Sequence, residues 1–151
     1  MEIRSLGYIG IGAPDPKEWL KYGTEIIGMM PARAIPGESW GAPETPSDIA
    51  SESGGTGIAP DGSVYLKMDD WQWRVGVHPS EGNKGLMYLG FELRGPQELE
   101  QALEELKAEG IDAAMSTEEE ALARGVRGLG ITQDPAGNRL ELFYGPTMDR
   151  K

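Results

Sequence analysis

The sequence predicts an α+β domain made of two tandem βαβββ modules, whose strands join in one curled sheet with the helices outside. Three observations carry this. Leu6-Gly7-Tyr8-Ile9-Gly10-Ile11 recurs 80 positions later as Leu86-Met87-Tyr88-Leu89-Gly90-Phe91, so Leu, Tyr and Gly repeat in register. Pro16-Lys17-Glu18 is echoed by Pro96-Gln97-Glu98. Each copy opens on a strand-like run and passes into a helix begun by proline, and repetition at a fixed period signals a duplicated architecture. A chain of 151 residues can bury one core without disulfides or structural metal. The modules are expected at residues 1–80, with an insertion at 31–62, and at 81–146; residues 147–151 form a tail or the start of a linker.

The elements follow in order. Residues 3–13 read as a strand, with Leu and Ile alternating against small or polar partners. Asp15 is a candidate N-cap with Pro16 at the first helical position. Trp19, Tyr22, Gly23 and Ile26 fall on one face at helical spacing, and Gly28 is the expected stop. Residues 31–62 are rich in Pro, Gly and Ser and too long for an ordinary connection, which predicts a functional flap or a mobile insertion. Strands are expected at 63–68 and 72–77 around an Asp69-Asp70 turn, and again at 85–93. Leu99, Ala102, Leu103 and Leu106 form the apolar stripe of the helix begun at Pro96, which closes at Gly110. A short helix over 117–124 has Ser116 or Thr117 as its cap and three glutamates in its first turn. Residues 128–133 and 139–144 read as a hairpin around Asp134-Pro135-Ala136-Gly137-Asn138.

Composition excludes several functions. The formal net charge of −11 argues against a nucleic-acid partner, which needs clustered Lys and Arg. No apolar run reaches membrane-spanning length, so no membrane role is expected. Zero cysteines removes thiolate metal sites and cysteine nucleophiles, and suits the reducing cytoplasm expected as its location. Gly54-Gly55-Thr56-Gly57 has no following Lys-Ser/Thr and reads as loop rather than phosphate cradle. Glu118-Glu119-Glu120 reads as a solvated helix start.

The duplicated βαβββ plan, together with three stretches, resembles the vicinal-oxygen-chelate superfamily, which includes glyoxalase I, bleomycin-resistance proteins and type I extradiol dioxygenases. The stretches are Ile3-Arg4-Ser5-Leu6-Gly7-Tyr8, Ala123-Arg124-Gly125-Val126-Arg127-Gly128-Leu129, and Asp134-Pro135-Ala136-Gly137 leading through Leu140-Glu141 to Tyr144-Gly145. Trp73-Arg74-Val75-Gly76-Val77 adds to the match. The chain is most similar to the amino-terminal domain of extradiol dioxygenases of the 2,3-dihydroxybiphenyl type. The resemblance implies an intact enzyme with a second, carboxy-terminal catalytic domain that holds Fe(II) on two His and a Glu. It also implies a small catechol-type aromatic substrate and homo-oligomer formation. By strand register the two His positions fall here on Tyr8 and Tyr88. The carboxylate position falls on Glu141 counted from the Asp-Pro-x-Gly turn, or on Phe143 counted from Tyr-Gly. With both histidines replaced, no metal, no cofactor and no catalytic residue is expected in this chain, and Tyr8, Tyr88 and Glu141 are expected as vestigial metal positions.

Tyr8 and Tyr88 read as packing residues in the cleft. Glu141 needs a partner on the inner face, and Arg74 or Arg139 is the expected structural ion pair; Arg4 and Arg127 join that network or lie at an interface. His78, the only histidine, reads as a strand-end or surface residue. Trp19, Trp71 and Trp73 read as core, while Trp40 is an aromatic anchor in a polar insertion. The rival function is a free-standing, metal-free protein that sequesters a ligand as bleomycin-resistance proteins do.

Overall fold

The computed structural model describes residues 1–38 and 54–150; Trp40 lies outside the described residues. Among them are eight strands, β1 (Ser5–Ala13), β2 (Met30–Pro31), β3 (Val64–Lys67), β4 (Val75–Pro79), β5 (Gly85–Glu92), β6 (Ala113–Met115), β7 (Gly128–Gln133) and β8 (Arg139–Tyr144). Three α-helices accompany them, α1 (Pro16–Lys21), α2 (Pro96–Ala108) and α3 (Glu118–Arg124). The strands form one mixed sheet in the order β2-β3-β4-β1-β5-β8-β7-β6. β1 lies parallel to β4 and β5 parallel to β8, while β1 and β5 meet antiparallel at the centre. Reading outward from that junction, both halves run through the same kinds of pairing. The sheet curls without closing, as the α+β expectation has it.

Alternation along each strand decides which layer a side chain enters. Val64, Leu66, Val75 and Val77 pack with Ile9, Ile11, Trp19 and Leu20 beneath α1. Leu99, Ala102 and Leu103 of α2 pack on Leu93 and Leu142. The opposite, concave face gathers Tyr8, Tyr65, Trp73, Tyr88, Leu129 and Phe143. That face positions the candidate site.

Local signals explain most element ends. Asp15 accepts from the Lys17 N–H and Thr117 from the Glu120 N–H, each satisfying an orphan donor of the helix it caps. In the β7–β8 turn, Asp134 Oδ1 takes the N–H groups of Ala136 and Asn138. Two expectations are corrected. The stripe of Trp19, Tyr22, Gly23 and Ile26 does not hold, because Tyr22–Ile27 form a π-helical turn ending at Gly28 in the left-handed conformation. The wider turn swings Ile26 out to 71% exposure and leaves Tyr22 edge-on against Trp19. Residues 72–74 are not strand: the β4 ladder begins at Val75, and Gln72 N–H bonds instead to Thr147 C=O. β2 begins at Met30, and Ala113–Met115 add the short edge strand β6 beyond the elements the sequence predicts. No helix among the described residues is long and apolar enough to cross a membrane.

Candidate functional site

The echoed sequence acquires a physical meaning at the β1–β5 junction. Tyr8 lies opposite Gly90, and Tyr88 opposite Gly10. Each ring lies over the facing glycine. A Cβ on Gly90 would stand 2.4 Å from the Tyr8 ring, and one on Gly10 2.1 Å from the Tyr88 ring. The Leu-x-Tyr-x-Gly pattern is therefore a reciprocal exchange of ring for space across the junction. It brings two phenols into one cleft, with ring centroids 5.8 Å apart and nearly perpendicular.

The cleft is filled. Tyr8 stacks between Trp73 at 4.6 Å and Phe143 at 4.9 Å. Glu141 and Phe143 share a face of β8, as residues two apart must, and both are fully buried. Tyr8 donates its hydroxyl hydrogen to Glu141 Oε1 at 2.5 Å. Arg124, the last helical residue of α3, closes over the same carboxylate with Nε to Oε1 at 2.8 Å and Nη2 to Oε2 at 3.0 Å. Arg139 adds Nε to Oε2 at 2.9 Å, and its Nη2 reaches Glu120 at 3.0 Å. The Arg124 guanidinium also lies 3.8 Å over the Tyr88 ring, and its backbone C=O accepts from the Trp73 indole at 3.0 Å.

The electrostatics follow. Burial alone would raise the Glu141 pKa, but the Arg124 hydrogen bonds and charge, with Tyr8 and Arg139, outweigh it and hold the carboxyl below its usual range. Burial and then the Glu141 charge push Tyr8 well above the ordinary phenol value. Burial likewise raises Tyr88, although Arg124 opposes it. Both phenols stay neutral.

The structure separates the two arginines expected to serve Glu141. Arg139 is a partner. Arg74 is not: it forms a fork with Asp69, at 3.0 and 2.7 Å, and lies 3.8 Å over the Trp71 ring. A carboxylate five residues away, next to the same turn, outcompetes one across the sheet. Arg124 takes its place, carried over β8 at the end of α3 just before Gly125, which has φ 69°. His78 stands at the end of β4, as expected, but not at the surface. It is half-buried, with Nε2 2.6 Å from the Tyr88 hydroxyl and Nδ1 2.9 Å from Ser63 Oγ, so it extends the cluster inward. The relay is satisfied in either tautomer, because both hydroxyls donate or accept. Burial, then the Arg124 charge, lowers the His78 pKa. Trp73 is core, whereas Trp71 and Trp19 are only partly buried. Arg4 is exposed, and Arg127 packs its stem on Gly145, away from Glu141.

As a metal site the arrangement does not fit. Among the described residues no three His, Cys, Asp or Glu side chains converge. The one carboxylate in the cleft is already neutralised by two guanidiniums, and both phenols resist the ionisation that would make them anionic ligands. A divalent cation placed there would face Arg124 directly.

No family model matches the chain. The biphenyl-2,3-diol 1,2-dioxygenase of Sphingomonas paucimobilis is 32% identical over 147 residues, covering 97% of this chain and 41% of the relative. An iron-dependent extradiol dioxygenase of Rhodococcus jostii is 31% identical over 151 residues, covering all of this chain and 42% of the relative. A solved halotolerant catechol dioxygenase superposes with a TM-score of 0.75 at 30% identity, covering 97% of this chain and 41% of that one. These relatives are extradiol dioxygenases, and the likeness runs over nearly the whole of this chain. The chain spans about two fifths of the length of the curated relatives it matches, which fits an amino-terminal domain of a type I enzyme of the vicinal-oxygen-chelate superfamily. A Mn(II)-bound glyoxalase from Novosphingobium aromaticivorans, 12% identical with a TM-score of 0.69 over 98% of the chain, shares its fold.

Proposed function

We propose that this chain is the non-metal-binding amino-terminal domain of a cytoplasmic, homo-oligomeric Fe(II)-dependent extradiol dioxygenase. The intact enzyme opens the ring of a catechol-type aromatic resembling 2,3-dihydroxybiphenyl, and a carboxy-terminal domain holds its iron. The carrying observation is the state of Glu141: its oxygens are taken by Arg124, Arg139 and Tyr8. In this reading Tyr8, Tyr88 and Glu141 stand where a metal-binding domain has its ligands, and Arg124 supplies the positive charge that a metal supplies elsewhere. The domain's work is then structural: a rigid, charge-balanced body that presents surfaces to the rest of the enzyme. A ligand-sequestering role is disfavoured, because Tyr8, Trp73, Tyr88, Glu141 and Phe143 are each at most 4% exposed and leave the cleft no room for a guest.

The test is oxygen consumption and ring-opened product with 2,3-dihydroxybiphenyl or catechol after anaerobic addition of Fe(II) to the 151-residue chain. No turnover is expected. Measurable extradiol cleavage would overturn the reading and require a metal site elsewhere in this chain. The reading frame beyond Lys151 is the companion observation, expected to continue into a second paired domain carrying two strand-borne His and a Glu.

A further inference from the structure

The path taken after β8 ties the second half of the domain to the first. Thr147 to Arg150 run beside the turn between β3 and β4. Gln72 N–H donates to Thr147 C=O at 3.0 Å, Asp149 N–H donates to Asp70 C=O at 2.7 Å, and Met148 forms a β-bridge with Trp71. Asp149 is 4% exposed; its Oδ2 is ion-paired with Lys67 Nζ at 2.9 Å, and its Oδ1 accepts from Arg33 at 3.1 Å. Lys67 Nζ also donates to Asp149 C=O at 2.8 Å, and Lys67 is only 1% exposed. A buried ammonium persists only when paired and hydrogen-bonded, so this clasp holds the outgoing segment in one direction.

Next to the same turn is a groove of about 320 Å³ whose lining includes Leu6, Ile9, Met68, Asp69, Arg74 and Val75. Ile9 and Val75 give it an apolar floor, while Leu6 and Met68 stand 52% and 53% exposed at its walls. Its one ion pair, Arg74 with Asp69, is closed on itself and asks for no charged partner. Exposed apolar walls around an apolar floor mark a contact surface.

We propose that this groove, walled by Leu6 and Met68, seats the carboxy-terminal domain of the same polypeptide, and that the Lys67–Asp149 clasp sets the direction from which that domain arrives. The proposal rests on the amino-terminal-domain reading above. Two facts select this occupant over others. The relatives extend well beyond the matched region, which is only 41% of their length, and the last described residues leave from the turn that carries Met68 and Asp69. A tethered partner also acts at millimolar effective concentration, so a small apolar seat suffices. A free partner or a second copy needs an interface on the order of 1,000 Å², which this groove does not offer alone.

Peroxide footprinting of Met68 tests this, with Met115 of β6, 52% exposed at the far end of the sheet, as the internal reference. In the 151-residue chain Met68 should oxidise at a rate similar to Met115. In the protein expressed through the full reading frame it should oxidise at least about tenfold more slowly, since sulfoxide formation follows exposure. Leu6→Lys should restore its reactivity in the longer protein and leave the melting temperature of the 151-residue chain unchanged. Asp149→Asn should restore part of it. Equal Met68 rates in the two proteins would overturn the docking proposal and leave the domain reading standing. A reading frame that ends shortly after Lys151 would overturn both.

Discussion

Glu141 is surrounded by more positive charge than it carries, and that imbalance governs what replacing it does. The carboxylate is fully buried, Arg124 is 18% exposed, and Arg139 is 37% exposed with Glu120 as a second partner. Arg139 therefore keeps both solvent and a counter-charge when Glu141 is lost, whereas Arg124 keeps neither in full. Removing one partner of a buried pair is costly because the survivor is left charged and dry. Glu141→Gln should thus destabilise the chain by about 3 kcal/mol, most of it through Arg124. For a chain of this size, that loss corresponds to a melting temperature lower by roughly 6–12 °C. Urea unfolding should show a lower midpoint with an unchanged slope. A loss below about 1 kcal/mol would mean that water already screens the cluster, as it does for exposed pairs.

At the scale of elements, the exchange of Tyr and Gly between β1 and β5 makes the repeat a packing requirement. Neither Gly10 nor Gly90 needs a positive φ, so the obstacle to alanine is contact alone. Gly90→Ala drives a methyl into the Tyr8 ring, and overpacking of this kind costs about 1–3 kcal/mol. Gly82→Ala is the control, because a Cβ there meets nothing within 4 Å. Combining Gly90→Ala with Tyr8→Ala should cost less than the sum of the singles by about 0.5 kcal/mol or more. Strict additivity in chemical denaturation would sink the account. The same contrast between local and distant causes explains what was legible in the sequence. α3 and the β7–β8 hairpin were readable because Thr117 and Asp134 act on N–H groups two to four residues away. The π-turn was not, since Trp19, Tyr22, Gly23 and Ile26 fit an ordinary helical stripe until the chain takes the wider turn. β6 offers three residues without alternation at a sheet edge. In the cleft, Tyr8, Tyr88 and Glu141 were singled out by the family resemblance mapped through strand register, but Arg124 was not. Its role appears only when α3 folds over β8, and Arg74, equally plausible in the sequence, is captured by nearby Asp69.

For the whole molecule the cleft sets the pH range of stability from both sides. On the acid side, His78 has a folded pKa below its usual 6.5, through burial first and then the Arg124 charge. As pH falls through 6.5 the unfolded chain takes up a proton that the folded chain refuses, so stability declines. Glu141, also depressed in the folded state, adds a second loss as pH falls below its ordinary 4.5. On the alkaline side Tyr8 and Tyr88 have raised folded values, and Tyr65 is pushed up to about 12, burial being the first cause in each. Above pH 10 the unfolded phenols ionise while the folded ones hold their protons, so stability falls again. The expected profile is a plateau between about 6.5 and 10 with a decline on each side. The net charge of −11 pulls the other way on the acid side, since protonating surface carboxylates relieves repulsion. At 0.15 M salt the Debye length is about 8 Å, which screens the dispersed surface charge far more than the buried cluster, so the cluster wins. His78→Gln separates the contributions. Melting temperatures measured at 0.15 M salt should lose the decline that begins near pH 6.5 and keep the one below 4.5. If the first decline survives in that variant, His78 is not its source and the inward placement of its ring is wrong.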